Sequence, residues 1–64
     1  MVNFELIFKH FGSQNKLAGE LDVSTQAISI WKNKGFIPPG NAIQIERLTN
    51  GKFKAVDLVD KKGE

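Results

Sequence analysis

Ser13-Gln14-Asn15-Lys16-Leu17-Ala18-Gly19-Glu20-Leu21-Asp22-Val23-Ser24-Thr25-Gln26-Ala27-Ile28-Ser29-Ile30-Trp31-Lys32-Asn33 is the stretch whose reading decides the fold. Ser13 stands where a side-chain oxygen can accept from a free backbone N–H, and Leu17, Ala18 and Leu21 then share one face of a helix of about eight residues. After a break at Asp22-Val23, Ser24 can cap the next helix. In that helix Ala27, Ile28 and Trp31 face inward, while Thr25, Gln26, Ser29, Ile30 and Asn33 face out. The connection is too short for the two helices to lie side by side, so they must cross steeply. Small Ala18, midway along the first, allows the close approach, and bulky Ile28 and Trp31 fill the space beneath. This is the pattern of a helix-turn-helix over residues 14–33, with Leu17, Leu21, Val23, Ile28 and Trp31 as the core under it.

Upstream, Asn3 is a further candidate cap, and Phe4, Ile7, Phe8 and Phe11 recur at i, i+3, i+4 and i+7 before Gly12, which predicts a short amphipathic helix. Downstream, Lys34-Gly35-Phe36-Ile37-Pro38-Pro39-Gly40 reads as a loop, because Gly35 breaks the helix and the two prolines remove donors. Pro39 suits the first turn of a fourth helix, with Ala42, Ile45 and either Leu48 or Thr49 as its inward stripe and Asn50-Gly51 as its end. A competing pattern overlaps it. Ile43, Ile45 and Phe53 alternate across Asn50-Gly51, a strong hairpin signal, which would make residues 41–59 a β-hairpin and the fold α+β. The helical reading is preferred. Phe53, Val56, Leu58 and Val59 suggest a last helical turn or an edge segment, and residues 60–64 a frayed, charged tail. The expected fold is therefore all-α: one domain over residues 1–64, a small bundle of about five short helices containing the helix-turn-helix.

Composition narrows the function. A chain of 64 residues buries only about 60% of the surface its unfolded form exposes, which leaves little core from which to carve an enzyme pocket. With no Cys and with His10 as the sole His, no thiolate chemistry and no zinc ligand set are expected, and neither metal nor cofactor. The serines, the single His and the scattered carboxylates form no nucleophile-base arrangement, so no catalytic residues are expected. Met1-Val2-Asn3-Phe4-Glu5 resembles neither a signal peptide nor a membrane span, so a cytoplasmic location is expected. Nine basic residues against seven acidic ones give a net charge of only +2, but the distribution is uneven. Residues 23–45 contain no Asp or Glu and include Lys32 and Lys34, as a surface facing phosphates requires.

Three runs carry a resemblance: Phe11-Gly12-Ser13-Gln14-Asn15-Lys16-Leu17-Ala18, Ser24-Thr25-Gln26-Ala27-Ile28-Ser29-Ile30-Trp31-Lys32, and Ile37-Pro38-Pro39 through Ala42-Ile43-Gln44-Ile45-Glu46-Arg47-Leu48-Thr49-Asn50-Gly51. Taken in order and at this spacing, they resemble the Cro family of phage repressors and its small prophage regulator relatives, over roughly residues 4 to 59. Two positions depart from the family pattern. Asp22 stands where the family's turn places a left-handed Gly, a conformation Asp tolerates better than most residues, and Lys54 stands where relatives often carry a Thr or Ser cap. The family includes members with a helical second half and members with a hairpin there, so the resemblance leaves residues 41–59 open.

The resemblance implies a recognition helix in the major groove of double-stranded DNA, with Thr25, Gln26, Ser29, Ile30 and Asn33 as base-reading candidates. Gln26 has the bidentate geometry for adenine N6 and N7, Thr25 and Ser29 can donate or accept, Asn33 reaches a base or phosphate, and Ile30 suits a thymine methyl. Gln14 at the start of the preceding helix, Ser24 as a cap, and Lys32 and Lys34 are the phosphate candidates. One helix reads few base pairs, so a homodimer on a two-fold operator is expected, weak before DNA is bound. Its interface is expected within residues 36–59, around Phe36, Ile37 and Phe53 to Val59. The rival reading is an antitoxin-like regulator that mainly holds another protein, with Leu6, Ile30 and Phe36 as an apolar patch.

Overall fold

The computed structural model describes residues 2–59, and every regular element among them is helical. The order is α1 (Phe4–Phe11), α2 (Gln14–Leu21), α3 (Thr25–Lys34), α4 (Pro39–Leu48) and α5 (Ala55–Leu58). Each of the first three helices is started by the residue with the chemistry for it. Asn3 Oδ1 accepts from Leu6 N, Ser13 Oγ from Lys16 N and Ser24 Oγ from Ala27 N, each at 3.1 Å, satisfying donors that the helix cannot. Pro39 opens α4 with a dihedral already set for helix, and no side-chain cap is present there.

The turn between α2 and α3 is a Schellman motif built on a non-glycine residue. Asp22 lies in the left-handed region, with φ 58 and ψ 45. Its N–H donates to Gly19 O at 3.3 Å while Val23 N–H donates to Ala18 O at 3.0 Å, so two terminal carbonyls of α2 are satisfied as the chain reverses. The core then closes with one fully buried side chain from each successive segment: Ile7 from α1, Leu17 from α2, Ile28 from α3, Ile37 from the loop and Ile45 from α4. Leu58 of α5 adds to it, and Ile37 N–H donates to Leu58 O at 2.7 Å, which pins the loop to the last helix.

The hairpin alternative for residues 41–59 is not what forms. Alternation would put Ile43 and Ile45 on one face, yet Ile45 is fully buried and Ile43 is 48% exposed, whereas Ala42, Ile45 and Thr49 share the inner face at helical spacing. Asn50 and Gly51 do take the positive φ that a tight hairpin turn requires, 52° and 84°. They use it to end a helix. Gly51 N–H donates to Glu46 O at 2.8 Å and Asn50 N–H to Arg47 O at 3.2 Å, a second Schellman motif.

Thr49, not Leu48, is the inward residue at the end of α4, and it is the only polar residue buried among the described residues. Its hydroxyl donates to Ile45 O at 2.8 Å and accepts from Phe53 N–H at 3.2 Å, so it ties the end of α4 to the following turn. Lys54 offers no cap to α5. The cap comes from α4 instead, where Glu46 Oε1 accepts from Ala55 N–H at 2.7 Å. Ile37 and Leu58, expected at a dimer interface, are buried within the monomer because loop and last helix close over the core. The tail at residues 60–64 lies outside the described residues.

Two substitutions test this account. Thr49→Val keeps the shape but leaves Phe53 N–H without its acceptor, and should cost about 1–3 kcal/mol, read by urea unfolding. Asp22→Gly relieves a left-handed side chain and should raise stability by about 0.5–1 kcal/mol, visible as a higher melting temperature; a loss would show that Asp22 stabilises the turn by other means.

Candidate nucleic-acid interface

The exposed face of α3 is set by what its opposite face buries. At about 100° per residue, Gln26, Ser29, Ile30 and Asn33 fall opposite Ile28 and Trp31, and all four are exposed. Ile30 is 52% exposed, so a large apolar side chain stands among the polar ones. Thr25 is also exposed, on the flank that faces the start of α2. Neither α2 nor α3 has an acid in its first turn, so the N–H-bearing ends of both helices keep their partial positive charge uncompensated. Lys32 and Lys34 occupy the last turn of α3, where cations suit the carbonyl end of the dipole.

Gln14 is placed differently from a freely extended phosphate ligand. Its Nε2 donates to Thr25 O and to Ser29 Oγ, each at 2.9 Å, so both amide hydrogens are committed to α3. The carbonyl partner also fixes which amide atom points inward, since Thr25 O can only accept. Ser13 Oγ takes Lys16 N–H, which leaves the Gln14 and Asn15 N–H groups as the outward donors at the start of α2. This bridge, like the Glu46 cap, joins residues too distant in sequence for a local pattern to show. Its signal is the helix-turn-helix itself, in which the first turn of one helix abuts the first turns of the next.

The other candidates fall around this face. Ser24 Oγ is occupied by Ala27 N–H as the α3 cap and remains exposed. Lys32 reaches back to α1, with Nζ 5.9 Å from the centre of the Phe8 ring, whereas Lys34 is exposed at the other flank of α3. His10 packs edge-on against Phe11 and Phe53, with ring centres 5.2 and 5.6 Å away. Leu6 is 53% exposed and lines a cleft of about 290 Å³ with Phe53 and Leu58, while Phe36 is half-buried. Among the described residues no group of three His, Cys, Asp or Glu is placed to hold a metal, and no helix is long and apolar enough to cross a membrane.

Two helices joined through a left-handed Asp22 and a two-residue link, the second with a polar, acid-free outer face, define a helix-turn-helix DNA-binding protein. Comparison with known proteins gives the particular family. The model of the P22 Cro family, DNA-binding transcriptional regulator Cro, matches residues 4–63, and the chain belongs to that family. The regulatory protein cro of Pseudomonas phage D3 is 36% identical over 56 residues, covering 86% of this chain and 77% of the relative. No solved structure matches. The chain is thus a Cro-type DNA-binding transcriptional regulator, and not an enzyme.

Proposed function

We propose that this regulator acts as a repressor, occupying as a homodimer a two-fold-symmetric operator that overlaps a promoter. The observation that carries the reading is the exposed row on α3, Gln26, Ser29, Ile30 and Asn33, beside Thr25 and next to two helix ends without acids. In the major groove Gln26 takes adenine, Ile30 takes a thymine methyl, and Thr25, Ser29 and Asn33 meet nearby base edges. Backbone N–H groups of Gln14 and Asn15, the Ser24 region, Lys32 and Lys34 bind phosphates and fix the register. Such a regulator works in the cytoplasm of its host.

The protomer measures 31 × 25 × 18 Å, small enough for two copies to occupy half-sites about one helical turn of DNA apart, roughly 34 Å. With Ile37 and Leu58 buried, the apolar side chains free to join copies in the second half are Ile43, Leu48 and Val56, at 48%, 45% and 64% exposure. Three side chains make a small surface, in keeping with a dimer that gains most of its stability on DNA.

Selection of bound sequences from a random duplex pool at about 150 mM salt should return a two-fold consensus, bound roughly a thousand-fold or more above a scrambled duplex. Binding without enrichment would sink the reading. Gln26→Ala should cost about 1–3 kcal/mol on the selected site and little on random DNA, measured by fluorescence anisotropy. Lys34→Ala should weaken both alike and lower the slope of log K against log salt by about one.

A further inference from the structure

Gln14 makes two bonds to α3, and together they decide what Ser29 can do. A serine in a helix ordinarily has two uses for its hydroxyl hydrogen, an outside acceptor or the carbonyl four residues back. For Ser29 that carbonyl is Thr25 O, which takes the helix bond from Ser29 N–H with one lone pair and Gln14 Nε2, at 2.9 Å, with the other. The second Nε2 hydrogen goes to Ser29 Oγ, also at 2.9 Å, so the serine oxygen is the acceptor in that pair and its own hydrogen is left over. Among the described residues no acceptor takes this hydrogen, and Ser29 is exposed on the outward face of α3. Accepting one bond also polarises the O–H, which makes it a better donor.

We infer that Ser29 reads its base as a hydrogen-bond donor, and that Gln14 is a positioning residue that sets this polarity. The inference rests on the DNA-reading role proposed for α3. Guanine N7 and O6, adenine N7 and thymine O4 can accept in the major groove, whereas cytosine offers only its N4 donors there. Ser29 therefore disfavours cytosine at one position of each half-site: the second lone pair of Oγ can still accept from cytosine N4, but the hydroxyl hydrogen is then stripped of water with no acceptor, and an unpaired donor costs more than an unused lone pair. Removing Gln14 frees Thr25 O, the hydroxyl turns back onto its own helix, and the discrimination goes with it.

Random-pool selection with the full chain and with Ser29→Ala, Gln14→Leu and the double variant tests this. In the unsubstituted protein, one half-site position should disfavour cytosine by about five- to tenfold. Ser29→Ala should flatten that position alone and so identify it, Gln14→Leu should flatten the same position while the rest of the consensus persists, and the double variant should lose no more there than either single one. Cytosine favoured at the Ser29 position, or a Gln14→Leu consensus unchanged while every sequence binds more weakly, would overturn the inference. If Gln14→Leu does not fold, as judged by circular dichroism, the Ser29→Ala comparison still decides whether the base read is an acceptor. Failure of the underlying DNA reading looks different: the unsubstituted protein would then enrich no consensus at all.

Discussion

The left-handed turn at Asp22 is the constraint on which the rest of the structure depends. With φ at 58, the chain leaves α2 and within two residues reaches Ser24, which starts α3 in a new direction. The Ala18 carbonyl that would have continued α2 is taken by Val23 N–H, so the helix can end without an unpaired polar group beneath it. Ala18 itself, 3% exposed, lies in the resulting angle between the helices. Gln14 then spans the open side of that angle, and the face of α3 opposite Ile28 and Trp31 is turned to solvent. A change in this one backbone conformation would redirect every side chain proposed to read DNA.

A domain this small has little apolar surface to spend on holding that geometry. Each of its five fully buried large side chains comes from a different segment, so no pair of helices owns a core of its own. Polar bonds at the corners supply the definition that the core lacks. Glu46 in the last turn of α4 fixes Ala55 and Thr49 at its C-cap fixes Phe53, so the end of α4 organises the whole approach to α5. The four-residue α5 is too short to persist by itself. It exists because Glu46 caps it, Leu58 is buried and Leu58 O accepts from the loop.

These facts explain what could be read from the sequence. The caps at Asn3, Ser13 and Ser24 and the inward faces of α1, α2 and α3 were legible because each depends on residues three or four apart. Asn50-Gly51 was ambiguous for a physical reason: a hairpin turn and a Schellman motif demand the same positive φ. Only the burial of Ala42, Ile45 and Thr49, a property of the whole core, separates them. The outward row of α3 followed from its inward one. Not legible were the contacts bridging distant segments: Glu46 to Ala55, Ile37 to Leu58, and Gln14 to Thr25 and Ser29. The local pattern puts Gln14 at a helix start, where a phosphate contact is expected. The fold adds a neighbour that competes for its amide.

That competition bears on how a chain with a net charge of +2 can select a site at all. Few cations mean a small sequence-independent attraction, so discrimination must come from contacts that carry direction. A free serine hydroxyl carries almost none, because it rotates to suit donor or acceptor alike. Tied to Gln14, which takes one of its two lone pairs, it is biased toward donating, and under the proposed reading the order in which hydrogen bonds run through Gln14 and Ser29 becomes part of the recognition surface. The same tie commits Gln14 to α3, so under the proposed reading phosphate binding at the start of α2 falls to backbone N–H groups, whose direction the helix already fixes. Base contacts then come from α3 side chains, Lys32 and Lys34 add charge at its end, and the geometry of the turn at Asp22 keeps the two surfaces in register.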